Sequence, residues 1–175
     1  MSINKNTILL QASARSHGHT RLITNYLSQQ SGIPLIDLKT KDIGYFDYEF
    51  NNQEDDFIPL IEEMLHYDLF IFATPVYWYS MSARMKTFFD RLSDLLKIRK
   101  DLGRQLRGKS MLAISCSGDP ELVAGYFMPF EESADYLGMH YLGGVHTWIF
   151  EEQIPEEVRK QLDQVIAQIQ QSVKP

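Results

Sequence analysis

Five short apolar runs, separated by longer amphipathic stretches, restrict this chain more than any other feature. The runs are TILLQA (7–12), PLIDL (34–38), DLFIFAT (68–74), KSMLAIS (109–115) and MHYLGGVHTWIF (139–150). DLFIFAT is nearly continuous in apolar residues, as a strand covered on both faces should be. The fifth run carries Gly143-Gly144, where a kink is expected. Between the runs lie helical patterns. One spans about Gly18 to Gln30, with Leu22, Ile23, Tyr26 and Leu27 on one face. DDFIPLIEEMLH (55–66) opens on two acids, and its Pro59 suits a first turn. Ser80 or Ser82 can cap a helix that aligns Met85, Phe88, Phe89, Leu92, Leu95 and Leu96 in one stripe. Asp119-Pro120-Glu121 fits the start of a helix over 120–137. A last helix opens near Pro155 and buries Val158, Leu162, Val165, Ile166 and Ile169. Strand followed by helix, five times over, implies a parallel sheet with helices on both faces, and five strands suggest the order 2-1-3-4-5. Neither a repeat nor a linker interrupts the pattern, so residues 1–175 are expected to form a single domain.

Charge and composition exclude several functions. The net charge is −6, which argues against broad nucleic-acid binding. No apolar run reaches the roughly 18 residues of a bilayer span, and the N-terminus turns polar too early for a signal peptide, so a cytoplasmic location is expected. A single cysteine, Cys116, rules out an internal disulfide and any cysteine-built cluster. Charge is uneven: residues 1–41 hold five bases against one acid, Asp37, whereas residues 47–63 hold seven acids and no base. Two solvated faces, or a local anion site near the N-terminus, would each account for this.

In an open parallel sheet, ligands bind beyond the carboxyl ends of the strands, where the strand order reverses. Three loops reach that place. SARSHGHT (13–20) follows the first strand and opens a helix, whose free N–H groups favour anions. Ser13, Ser16 and Thr20 add hydroxyls, Arg15 a forked cation, and Gly18 a close backbone approach. The loop is neither a P-loop nor a dinucleotide fingerprint, and an ordinary cap with a solvated arginine would also explain it. His17 and His19 lack a third ligand nearby, so no metal site is expected, although His19 could donate to a phosphate. PVYWYSMS (75–82) delivers three successive rings that cannot all enter one core. Tyr77 and Trp78 suit either packing or a flat aromatic ligand, and Tyr79 is assigned to packing. SCSGDPE (115–121) offers small, polar residues and an accessible backbone, or a plain turn. Cys116 has no basic neighbour in sequence and reads as a small apolar filler.

Taken together, the three loops resemble the NAD(P)H-dependent FMN reductases of the flavodoxin-like superfamily, and within it the branch of multimeric flavodoxin-like quinone reductases and iron–sulfur flavoproteins. The family's first-loop pattern, Gly-Ser-Pro-Arg-x-x-Gly-Asn-Thr, is matched by Ala12-Ser13-Ala14-Arg15-Ser16-His17-Gly18-His19-Thr20, with Ala12 for Gly and His19 for Asn. The stretch DDFIPLIEEMLHYDLFIFATPVYWYSMSARMKTFFDRL matches more closely. The cluster cysteines of the iron–sulfur members are missing from KDIGYFDYEFNNQEDD, which excludes that cluster.

The resemblance implies a flavodoxin-like three-layer sandwich and an FMN cofactor with NADPH or NADH as hydride donor. It implies that Ser13, Arg15, His19 and Thr20 hold the FMN phosphate. Pro75, Val76, Tyr77, Trp78 and Ser80 would border the flavin ring, and Ser115, Cys116, Ser117 and Gly118 would cover its other edge. Lys86, Asp90 and Arg91 read as charges on the solvent side of a helix. The implied activity passes electrons to a quinone, another flavin or a similar small acceptor, in a homodimer or homotetramer, without a catalytic side chain that can be named. The pocket for the acceptor would be walled by Tyr77, Trp78 and the aromatics of 43–50. An electron-transfer flavodoxin without substrate turnover is the alternative, disfavoured by Arg15 and the modest net charge; a flavin-free regulatory domain of the same fold is a third.

Overall fold

The computed structural model describes residues 6–171; the two ends of the expected 1–175 domain lie outside the described residues. All five expected strands form: β1 (Thr7–Gln11), β2 (Leu35–Asp37), β3 (Leu69–Pro75), β4 (Ser110–Ser117) and β5 (His140–Trp148). They pair in parallel in the order β2-β1-β3-β4-β5. β1 and β3 are buried along their whole length, as the continuous apolar runs require. The register shifts between Met111 and Ala113, opposite the glycine pair of β5, and Gly143 sits at φ +107°. That angle lies in a region that side chains avoid, so the expected kink is built on glycine.

Successive strand residues face opposite layers. Ile8, Leu10, Phe70, Phe72, Met111 and Ala113 pack against α2 (Phe57–Met64), α3 (Ala83–Lys97) and α5 (Met128–Leu137). Leu9, Ile71, Leu112 and Ile114 pack against α1 (His19–Ser31) and α6 (Glu156–Gln171). The stripe read from α3 is this core: Met85, Phe88, Phe89, Leu92 and Leu95 are buried, and Phe88 and Phe89 meet Phe57, Phe72 and Phe130 mostly edge-to-face. Edge-to-face contact suits the ring quadrupoles. Ser82 is the residue that caps α3, accepting from the Met85 N–H at 3.2 Å. A single helical turn, α4 (Lys100–Gly103), fills the connection to β4.

Two expectations are corrected. The segment after β4 is not helical from 120; α5 starts at Met128. Asp119 instead spends its side chain on an Asx turn, accepting from the Glu121 N–H at 2.8 Å, while its own N–H donates to Ser117 Oγ at 3.0 Å. These local bonds compete with helix formation. Arg91 is not on the solvent side of α3. It is 1 % exposed, donates from Nε to Asp94 at 2.9 Å, and is paired with Asp55. Lys86 and Asp90 do form a surface pair one turn apart.

Candidate functional site

The three loops singled out from sequence meet at the carboxyl end of the sheet, where β1 and β3 lie side by side and their connections leave in opposite directions. The chain knits their bases together. The Ala12 N–H donates to Ala73 O at 2.9 Å, Ser82 Oγ donates to Ala12 O at 2.8 Å, and the Ser82 N–H donates to Thr74 Oγ1 at 3.0 Å. A second polar chain supports the first loop from behind: Thr24 donates to Gln11 Oε1 at 2.7 Å. The cap of α3 is therefore also a clamp that sets the first loop against the second.

In the first loop, Ser13 and Thr20 are buried, Arg15 is exposed, and His19 is the first residue of α1. The N-cap position, Gly18, supplies no side-chain cap. The helix N-terminus thus keeps its positive end and its free donors for something else. A Cβ at Gly18 would come within 2.8 Å of Arg15 Nε, so glycine is what lets the guanidinium fold over the helix start. Uncapped helix amides, a forked cation and hydroxyl donors in one loop fit a phosphate monoester.

The second loop is a tight reversal. The N–H groups of Tyr77 and Ser80 each donate to the other's carbonyl, at 2.9 and 3.1 Å. Trp78 and Tyr79 between them have φ of +47° and +64°. A turn of this kind favours Asn-Gly, and holding two aromatic residues there is strained. Tyr77, Trp78 and Tyr79 are 42, 93 and 72 % exposed. The expectation that three rings cannot share a core holds. Tyr79 does not pack within its own chain: its backbone is left-handed and its ring is exposed, which leaves a subunit interface as the packing open to it. Substituting Tyr79 by glycine should raise stability by about 1 kcal/mol, measured by urea denaturation, because little packing is lost and the strain is relieved.

The third loop leans on the other two. The Val76 N–H donates to Cys116 O at 2.9 Å, and Tyr126 Oη donates to Pro75 O at 3.3 Å. His146 on β5 braces it. Its Nε2 lies 2.9 Å from Asp119 O, which can only accept, so Nε2 carries the proton and Nδ1 accepts from Ser115 Oγ at 2.8 Å. Gly118 is exposed and Ser117 half-buried. Cys116 is 2 % exposed and sits among Ile23, Leu27 and Ile114, so only its backbone can face a ligand. Burial pushes its thiol up to about 11, against smaller opposite effects of the Thr147 and Thr20 hydroxyls. Neutral and covered, it should resist a thiol reagent in the native protein and react at once in denaturant.

Sequence reasoning missed His146, Tyr126 and Glu152. His146 faces Ser115 only through the β4–β5 register, and Tyr126 reaches Pro75 only because the expected helix is a loop. Glu152 Oε1 lies 3.0 Å from His19 Nε2. None of the three stands in a local motif. Among the described residues, no group of three His, Cys, Asp or Glu could hold a metal ion, and no helix is long and apolar enough to cross a membrane.

Comparison with known proteins agrees with this geometry. Residues 6–151 match the family described as NADPH-dependent FMN reductase. A Bacillus subtilis (strain 168) protein, YwqN, provisionally named an NAD(P)H-dependent FMN-containing oxidoreductase, is 29 % identical over 152 residues, which cover 78 % of this chain and 81 % of YwqN. Among solved structures, the Trp repressor binding protein from Bacillus subtilis superposes with a TM-score of 0.68 at 25 % identity, covering 97 % of this chain and 98 % of its own. An NADPH-quinone reductase from P. pentosaceus shares the fold, with a TM-score of 0.67 at 18 % identity and coverage of 97 and 98 %. The general stress protein 14 of Treponema denticola, solved in complex with FMN, shares it too, with a TM-score of 0.60 at 14 % identity and coverage of 94 and 95 %. A match that spans the sheet and all three loops decides the family: the chain belongs to the NADPH-dependent FMN reductases.

Proposed function

We propose that the protein uses FMN to move electrons from NADPH or NADH to a small acceptor such as a quinone or a second flavin. The observation that carries this reading is the pairing of an anion cradle with exposed rings on a strained turn, at one end of one sheet. Bound FMN would supply the redox chemistry, taking hydride from the nicotinamide and releasing electrons to the acceptor. The chain's part is to hold and shield it. Ser13, Arg15, His19, Thr20 and the start of α1 would take the phosphate. Pro75, Val76, Tyr77, Trp78 and Ser80 would border the ring on one side, and the backbone of Ser115, Cys116, Ser117 and Gly118 on the other. No side chain is required as a general acid or base.

The exposed rings of Tyr45, Tyr48, Trp78 and Tyr79 support an assembly of two or four copies in which the acceptor pocket is closed from outside. Light scattering on a sizing column tests the assembly. The activity is tested by following NADPH and NADH oxidation with FMN-loaded protein and a soluble quinone. Steady turnover supports the proposal, whereas a flavin that is reduced but passes nothing to the acceptor would indicate an electron carrier instead.

A further inference from the structure

The reversal after β5 takes no part in the three-loop site, yet its side chain reaches into it. Phe150 and Gln153 exchange backbone hydrogen bonds of 3.1 and 2.9 Å. The two residues between them, Glu151 and Glu152, have φ of +47° and +59°. This repeats the geometry of the Tyr77–Ser80 turn, again without glycine or asparagine. Two glutamates are thus held in a conformation that their type disfavours.

The result of that conformation is the contact of Glu152 Oε1 with His19 Nε2, at 3.0 Å. His19 opens α1, and Arg15 lies in the same loop. The hydrogen bond and charge of His19, and then the charge of Arg15, hold the Glu152 carboxyl below the usual carboxylate range. The carboxylate therefore already holds the His19 ring of the anion cradle, in the same loop as Arg15. Stability does not explain the arrangement. The side chains are 35 % (His19) and 82 % (Glu152) exposed, and such exposed pairs contribute little.

His19 Nε2 has a single proton to donate, and it cannot serve a carboxylate and a phosphate oxygen together. A carboxylate kept beside a dianionic phosphate also repels it. We propose that Glu152 belongs to the flavin phosphate site, as an internal anion that competes with the FMN phosphate for His19 and so sets how readily the flavin is released. This rests on the reading that residues 13–20 hold the phosphate. Binding of FMN then exchanges carboxylate for phosphate and frees the 150–153 turn, and departure of the flavin lets Glu152 return. Among the described residues His19 is hydrogen-bonded to Glu152 and not to the neighbouring Glu151, so Glu151 carries the same charge without the competition.

The test is equilibrium titration of flavin-free protein with FMN and, separately, with riboflavin, which lacks the phosphate, read by quenching of flavin fluorescence. Wild type, Glu152→Gln and Glu151→Gln are compared. The expected result is FMN affinity raised roughly three- to fivefold by Glu152→Gln, in the range of one exposed ion pair, with little change for riboflavin and a smaller change for Glu151→Gln. Unchanged or weakened FMN affinity in Glu152→Gln overturns the inference, as does an equal gain for riboflavin. A wild type that binds FMN no better than riboflavin instead removes the phosphate reading itself, and this inference with it.

Discussion

Arg91→Ala is expected to lower stability by about 3–5 kcal/mol, the largest single effect among the charged side chains of this protein. All five donors of the guanidinium are engaged. Nε donates to Asp94, one terminal nitrogen to Gly44 O at 3.1 Å and to Asp55, and the other to Asn52 O at 2.8 Å and to Asp55. Its carbon end stands 4.8 Å from the centre of the Phe57 ring. Removing it leaves two nearly buried carboxylates and two carbonyls without their donor. Lysine cannot substitute, because a point charge cannot fill a five-donor fork. Burial pushes the Asp55 carboxyl up, but hydrogen bonds from Arg91 and from the Phe57 and Gly44 N–H groups outweigh this and hold it below its ordinary value. Asp55 therefore contributes stability that is complete at neutral pH and is lost as pH falls through the carboxylate range. Asp94 opposes it: burial raises its carboxyl, Arg91 offsets this only in part, and acid relieves a cost there. Urea denaturation of wild type and Arg91→Ala at neutral pH measures the main effect. A loss under about 1 kcal/mol would contradict a hub of five engaged donors.

The hub also explains where the reading of the sequence stopped. Arg91 lies in Lys-x-Phe-x-Asp-Arg, and helical spacing alone puts it beside the solvent face of α3. What buries it is the loop of residues 44–55, which carries no periodic signal and docks through backbone carbonyls. The β-α alternation, by contrast, is read segment by segment, and the parallel sheet follows from it; the α3 stripe follows from the periodicity of that helix alone. The loop after β4 shows the converse error. Asp119-Pro120-Glu121 satisfies the local rules for a helix start, yet side-chain bonds to the backbone use Asp119 and Ser117 for turns. Phe127 then lies against Gly144, where any side chain would run into its ring. Such long-range packing has no signature in a local window. Trp78 and Tyr79 show a third limit: three adjacent rings say that some must be exposed, but not that a left-handed turn at Trp78 and Tyr79 leaves all three so.

Arg15→Ala is expected to weaken FMN binding by about 10- to 100-fold, the range of a lost hydrogen bond between charged groups, and to leave riboflavin binding nearly unchanged. Arg15 is exposed and folded over Gly18, so its loss should cost little stability. The effect belongs to the ligand and not to the fold, and thermal melting of the flavin-free variant separates the two. Equal loss for FMN and riboflavin would mean that Arg15 shapes the loop without meeting the phosphate.

The central claim is that one FMN site, built by the loops at 13–20, 75–82 and 115–121, is reduced by a nicotinamide. Its most direct test is an anaerobic absorbance spectrum of the protein loaded with FMN, recorded before and after addition of NADPH. The account predicts flavin bands shifted from those of free FMN, and their bleaching on addition of NADPH. FMN bands indistinguishable from free flavin, with fluorescence unquenched and no bleaching by NADPH or NADH, would contradict it.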